Sequence, residues 1–568
     1  MTATTQEVKA PRVISFDKVV EVNVLLFVSA ACVLLAWPLW TWERQYVHVY
    51  LVAIFLFIGG TTTLINGLRM ALGEFRKQWE VNRLWRESGG NRSARFLTRA
   101  ELESAGCFDG GRLIGMLEGE PLFAPARLNQ SHSIYVAANG YGKTSCGVMP
   151  TVMSLAHQMA NGAPLSVLIN DSKDGEIIAQ AAPMLDSLNI DYAILDDYER
   201  FPGHPKRVAM NPFSELAHAY EQDRRSFREH VEAAMHTLLP SPVENGHNEY
   251  FYTEPRLRGA VIVEYLASLK NSAALQPGAV WTILNDPKMF EDTLRLIARS
   301  GDEAVKGEAK KILQYMEQKH EHEAAHVGAV LQALVPFAAG GWLHDLVPKA
   351  GTVPVLTHRE LMGRPKMLFV VGRSDLAPRA KAYFGLHLQA VMQAQTTSPR
   401  WEVHYIGEEA ASTPLKEMTQ KMQVLRGQGA RIHIVTQSRS GLEASYGALA
   451  TKIIFNEAIV KQYFGFSSPS EAKQLSDAMG QKLVVVRGIN QSSERSDIGI
   501  GYSLIREPLM SADQLMSMNR DEQIIHIGGL GYVHCHKVHA SHIGPYARLL
   551  GPNPVEQTPP VVNIKFNL

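Results

Sequence analysis

The chain has 568 residues, more than one ordinary soluble domain holds, so two or three domains are expected. Apolar residues make up 46% and charged residues 20%, a folded globular composition; basic and acidic residues number 56 each, which removes any global basic signal for nucleic acid while leaving a local basic face open. The four cysteines, Cys32, Cys107, Cys146 and Cys535, form neither a C-x-x-C pair nor a disulfide ladder, which suits a reducing compartment.

In chain order, the first signal is a pair of almost wholly apolar runs, 22–42 and 46–68, each as long as the roughly 20 residues that cross a bilayer core. Only residues 41–45 separate them, so a tight helical hairpin is expected. Trp37, Trp40, Trp42, Tyr46 and Tyr50 would form an aromatic belt at its bend. Lys9, Arg12 and Lys18 precede the first run, and Arg69, Arg76, Lys77, Arg83 and Arg86 follow the second. That asymmetry predicts a multi-pass membrane protein with both termini cytoplasmic. A cleaved signal peptide fits poorly, because the second run follows at once. The alternative is a buried helical hairpin of a soluble protein.

Beyond about residue 95, short β-rich runs appear at 133–136, 165–169, 192–195, 367–371, 403–406, 431–435, 452–455, 482–486 and 523–527. Several are bounded by helical stretches, which predicts an α/β fold with a parallel sheet covered on both faces. Between 214 and 347 the strands stop. Amphipathic patterns at 227–239, 254–269, 290–298, 303–320 and 324–338 predict an inserted all-α domain. The expected organisation is a transmembrane hairpin (1–70), a nucleotide-binding domain in two parts (71–213 and 348–550) flanking the insertion (214–347), and a C-terminal tail (551–568).

The stretch 133–145 reads strand, loop, helix, and its loop matches the P-loop pattern from Ala137 to Thr144, with Ala137 in place of the first glycine. Such a loop turns backbone N–H groups inward around a β-phosphate. Ala138, Asn139, Gly140, Tyr141, Gly142, Lys143, Thr144 and Ser145 are the candidate ATP-binding residues. Lys143 would reach the β- and γ-phosphates, and the Thr144 hydroxyl would bind Mg²⁺. A P-loop needs an acidic partner on a neighbouring strand, and Glu408 and Glu409 follow the run 403–406. Glu408 would hold Mg²⁺ through water and Glu409 would polarise the attacking water, although Asp is usual at the first position.

Further segments then line up: GMLEG (115–119), MPTV (149–152), NDSKDGE (170–176), MNPF (210–213), LRGQG (425–429), TQS (436–438), LEASYG (442–447) and Asn456. As an ordered set they resemble the coupling-protein ATPases of type IV secretion and conjugation, the TraG/TraD-like family, from the hairpin to about residue 550. The resemblance implies a RecA-like fold, a homo-oligomer, expected as a hexamer, at the bacterial inner membrane, and ATP and Mg²⁺ as cofactors. It implies recruitment of a relaxase–DNA complex or protein effectors to the secretion channel. It also implies that Gln437 is a γ-phosphate sensor, that Arg426 is an arginine finger for a neighbouring subunit, and that Asp171 and Lys173 belong to an Asp-x-Lys-Gly-Glu segment, here interrupted by Asp174. Two alternatives stay open: a nucleotide-binding receptor that hydrolyses weakly, and a chromosomal DNA pump.

Three patterns point elsewhere. His322-Glu323-Ala324-Ala325-His326 is a literal H-E-x-x-H, but it falls inside the helical insertion, and a solvated face rich in His and Glu is the expected reading. His534, Cys535 and His536 alternate along a late strand, which places the two imidazoles on one face and the thiol on the other. Arg379 and Lys381 are either DNA-facing or ordinary solvated charges at a helix start.

Overall fold

The computed structural model describes residues 16–41, 47–87, 93–125, 131–241, 249–300, 302–318, 320–347, 353–377, 379–407, 418–491, 498–554 and 566–567. The chain divides into two compact units, one of residues 1–95 with 472–515 and one of residues 96–471 with 516–568.

In chain order the strands are β1 (Leu113–Leu117), β2 (Glu120–Phe123), β3 (His132–Ala137), β4 (Leu165–Asp171), β5 (Tyr192–Leu195), β6 (Arg207–Met210), β7 (Val355–Leu356) and β8 (Met367–Val371). They continue with β9 (Glu402–Gly407), β10 (Ala430–Thr436), β11 (Ala458–Gly465), β12 (Gln481–Gln491), β13 (Ile498–Pro508), β14 (Glu522–Ile527) and β15 (Gly531–His536).

In the larger unit thirteen strands form one sheet in the order β2-β1-β15-β14-β11-β3-β10-β9-β4-β8-β5-β6-β7. From β11 to β7 all neighbours are parallel, and β14, β15, β1 and β2 extend the sheet antiparallel at one edge. Every residue of β3 is buried, as a central parallel strand covered on both faces requires. Its alternation divides the core: Ile134 and Val136 enter one apolar cluster, Tyr135 and Ala137 the other. The second cluster takes in helices Met149–Ala160 and Glu176–Ser187, through Val152, Leu155, Ile177 and Leu185.

Between β6 and β7, which pair directly, the described chain is helical, from Ser214–Gln222 through His320–Ala333. These helices share the first cluster: Val231, Ile262, Phe290 and Leu294 belong to the same apolar core as Leu368 and Met392. Two strand expectations need correction. Residues 452–455 lie inside a helix, Ala448–Glu457, that buries Thr451, Ile454 and Phe455 at helical spacing, and the strand, β11, starts at Ala458. The run 482–486 is extended but outside the main sheet, as part of β12, which among the described residues pairs with β13 in a two-stranded antiparallel ribbon.

The smaller unit contains that ribbon and two long helices, α1 (Phe16–Thr41) and α2 (Val47–Glu87). Both are long and apolar enough to cross a membrane. Small residues line their contact: a Cβ on Gly60 would lie 3.0 Å from Cys32 Cβ, Ala53 is buried, and Ser29 Oγ donates to Thr63 Oγ1 at 3.0 Å. Phe27, Leu34 and Phe55 point outward, each more than 70% exposed. α2 continues without a break past residue 68 to Glu87, so Arg69, Arg76, Lys77, Arg83 and Arg86 lie on the same helix. Lys9, Arg12, Trp42 and Tyr46 lie outside the described residues.

Candidate nucleotide site

The parallel strands all end on one edge of the sheet, where open α/β sheets bind ligands. At that edge β3 passes through a tight loop into a helix. Gly140 and Gly142 adopt φ of +77° and +81°, a region that glycine enters without steric cost. Ala137 is the last residue of β3, buried and paired with Gly465, so that position does not need glycine. The helix opens with a widened π turn, Lys143–Val148, before the α-helix Met149–Ala160. Such turns are rare and concentrate at functional sites. Lys143 is only 7% exposed, and its ammonium donates to Asn139 Oδ1 at 3.1 Å. Thr144, Ser145 and Tyr141 are half-buried around it, while Asn139 and Gly140 are exposed and Ala138 is buried.

β10 lies beside β3, in register from His433 with Ser133 to Thr436 with Val136, and it delivers Gln437 to the same edge, exposed. β9 comes next, with Gly407 opposite Ile434. Glu408 and Glu409, which follow it, lie outside the described residues. Arg426 ends the helix Met418–Arg426, half-exposed, its guanidinium 3.7 Å from Glu457. Below the site, Ser133 Oγ, His433 and His404 form a buried hydrogen-bonded line across β3, β10 and β9, with contacts of 2.7 and 2.9 Å. Burial holds both imidazoles below the usual histidine range.

At the end of β4, Asp171 is fully buried and accepts from Ile178 N at 2.8 Å, satisfying the first turn of the next helix. The interrupting Asp174 takes φ +56° beside Gly175 at +75°, a left-handed turn that absorbs the extra residue. Its carboxylate meets Arg200 Nε at 3.1 Å and accepts from Ser374. A Cβ on Gly175 would overlap the Phe201 ring at 2.2 Å. Nearby, burial pushes the Asp197 carboxyl up to about 7, even though Tyr383 donates to it at 2.6 Å.

The H-E-x-x-H segment is not the solvated face expected. His322 is exposed, but Glu323 is buried and forks onto the fully buried Arg258, with contacts of 2.6 and 3.1 Å. His326 is buried edge-on to Tyr250. A carboxylate so committed cannot serve a zinc-bound water. Among the described residues no group of His, Cys, Asp or Glu is arranged to hold a metal ion. His534 and His536 do alternate with buried Cys535; His534 meets Glu522 at 3.1 Å. Arg379 and Lys381 are exposed at the start of the helix Lys381–Thr397.

Sequence reasoning passed over three residues that pack on the loop. Gly465 closes β11 at φ +153°, and a Cβ there would sit 2.3 Å from the Tyr141 ring. Lys537 Nζ donates to the Tyr141 carbonyl at 3.2 Å. Arg520 lies over the Tyr141 ring at 5.8 Å.

Residues 402–520 match the family model described as the TraM recognition site of TraD and TraG. Over those residues the chain is similar to TraD and TraG. The matched region begins on β9 and takes in Arg426, Gln437, Gly465 and Arg520. Solved structures agree on the fold. The bacterial conjugative coupling protein TrwBΔN70, unbound, is 13% identical with a TM-score of 0.56, over 79% of this chain and 93% of its own. The plasmid coupling protein TrwB in complex with ADP and Mg²⁺ is 14% identical with a TM-score of 0.55, over 79% and 94%. TrwB with the non-hydrolysable GTP analogue GDPNP is 12% identical with a TM-score of 0.55, over 83% and 97%. The RecA-like α/β fold is therefore common to this chain and TrwB. None of the curated proteins matches the chain in sequence.

Proposed function

We propose that this TraG/TraD-like chain is a membrane-anchored ATPase that couples nucleotide hydrolysis to delivery of a relaxase–DNA complex, protein substrates or both into a conjugation channel, working as a hexamer. The observation that carries the reading is the loop at the end of β3, where two left-handed glycines lead into a helix that opens at Lys143. That arrangement suits an anion: the first-turn N–H groups and the positive end of the helix dipole favour phosphate oxygens, and Lys143 adds a mobile charge. Thr144 would ligate Mg²⁺, with Glu408 behind it through water. The chemistry a bound Mg²⁺ supplies is charge neutralisation on the β- and γ-phosphates. Glu409 would take the proton of the attacking water, Gln437 would contact the γ-phosphate, and Arg426 would act on a neighbour's nucleotide. TrwB has been crystallised with ADP and Mg²⁺ and with a non-hydrolysable ATP analogue, which is in keeping with these cofactors. The two apolar helices are in keeping with anchoring in the inner membrane.

The test is Lys143→Ala. It should abolish ATP turnover and mating-dependent transfer while leaving the chain in the membrane. Transfer at the wild-type level without turnover would replace the motor with a docking receptor.

A further inference from the structure

Lys537 approaches the phosphate loop from a part of the chain 396 residues away. It follows β15 directly, and its backbone N–H is fixed by the Asp521 carbonyl at 2.8 Å. Its side chain is 92% buried and lies over two rings, with Nζ 5.4 Å from the centre of Tyr141 and 5.2 Å from that of Phe464. Its ammonium donates to the Tyr141 carbonyl at 3.2 Å. The Tyr141 ring also packs against Gly465, where any side chain would collide with it.

The consequence follows from peptide geometry. The Tyr141–Gly142 bond is trans, and in a planar trans peptide the C=O and N–H point in opposite directions. Drawing the Tyr141 carbonyl toward Lys537 therefore turns the Gly142 N–H away from Lys537. Gly142 is the residue just before Lys143, and its N–H is one of the donors a phosphate cradle needs. Left to itself, a glycine-flanked peptide rotates easily, and ordering it on binding would cost affinity.

We propose that Lys537 is a positioning residue for nucleotide binding: its ammonium, seated on Tyr141 and Phe464, locks the Tyr141–Gly142 peptide so that the Gly142 N–H is presented to phosphate. The proposal rests on the nucleotide reading above. A buried ammonium on aromatic faces gives the lock a pH dependence. Burial lowers the Lys537 pKa to about 8, and the groups facing it are Arg520 and Asp521 from the turn before β14, and Tyr141 and Cys146 from the loop and its helix. Burial pushes the Cys146 thiol up, so it does not supply an anion at neutral pH. As pH rises through about 8 the ammonium loses its proton, and with it the cation–π contacts and the charge-assisted bond.

The experiment measures affinity for ADP with Mg²⁺ on the purified full-length protein in detergent. Lys537→Met should weaken ADP roughly ten- to hundredfold, and Lys537→Arg should restore most of that loss. Between about pH 7 and about pH 9 wild-type affinity should fall, while Lys537→Arg, which keeps its charge, should stay level. Wild-type affinity in Lys537→Met, or matching pH profiles for wild type and Lys537→Arg, would overturn the proposal. Because the pH comparison uses wild type and the conservative variant, it decides the matter even if Lys537→Met fails to fold. Lys143→Ala separates the two readings. If it loses ADP while Lys537→Met does not, only the positioning role fails; if both bind like wild type, the nucleotide site itself is wrong.

Discussion

Lys143 and Arg258 are both nearly inaccessible cations, yet their surroundings assign them different work. Lys143 follows two left-handed glycines and donates to a neutral amide, that of Asn139. Arg258 is fully enclosed and held by Glu323 on one side and Glu254 on the other, so its charge is spent. Removing one partner of such a pair strands a buried charge, which costs about 3–5 kcal/mol; the remaining Glu254 should keep Glu323→Ala near about 3 kcal/mol. Chemical denaturation of the purified protein checks this, together with a zinc assay expected to give far less than one equivalent. Stoichiometric zinc that disappears in Glu323→Ala and His322→Ala would instead make H-E-x-x-H a metal site. The two imidazoles at this segment were readable from spacing alone, but their fates were not. His322 faces water and His326 faces Tyr250 because the helix His320–Ala333 packs on Tyr250–Ser268, and spacing on one helix does not say which neighbour covers it.

Among the elements, α2 departs most from its expected form. The apolar run predicts a helix that ends near residue 68, yet the helix continues through Arg69–Glu87 in a polar, strongly helix-forming stretch. At about 1.5 Å per residue its 41 residues span roughly 60 Å, twice the bilayer core. Only its first half is suited to lipid. A chain beginning at Arg76 should therefore stay in the supernatant without detergent and still bind ATP, whereas the full chain should sediment with membranes. Detergent-free extraction of the full chain, with the shortened one insoluble, would rule out the anchor. The helix Ala448–Glu457 teaches the converse lesson. Lys452-Ile453-Ile454-Phe455 has strand propensity, but Gly447 at φ +84° starts a helix and packing fixes a 3.6-residue face. The true strand, β11, alternates buried and partly buried residues and so lacks the continuous apolar run by which the other core strands were found.

Across the whole molecule, the sheet sets β3, β10 and β9 side by side, so the proposed phosphate loop and Gln437 share one edge, whereas Arg426 is half-exposed on a flanking helix. Its contact with Glu457 is a half-exposed ion pair of small worth, so losing that partner would cost little, as the proposed role across a subunit boundary requires. Arginine fingers contribute about 10³–10⁵ in rate, so Lys143→Ala and Arg426→Ala should each be nearly inactive in ATP turnover. Mixed under conditions of subunit exchange, the two should regain part of the activity, because some interfaces would join an intact Lys143 to an intact Arg426. No recovery despite proven mixed rings would exclude action in trans at independent sites, and normal turnover by Arg426→Ala would end the assignment.

Contiguity explains what the sequence determined by itself. The apolar hairpin, the P-loop, the parallel strands and the helical block between β6 and β7 are written in local patterns of about four to twenty residues, and backbone sterics and burial periodicity act at that range. The departures at Ala137 and Asp174 were visible too, although only their backbone positions, at a strand end and in a left-handed turn, show that the loop and turn accommodate them. Only the tertiary structure could decide that Lys537, Gly465 and Arg520 converge on Tyr141, or that His404, His433 and Ser133 meet beneath the site. The physical reason is that sheet order, not chain order, makes these neighbours. β15 reaches the loop by way of β14 and β11, and no local pattern records which strand will lie beside which.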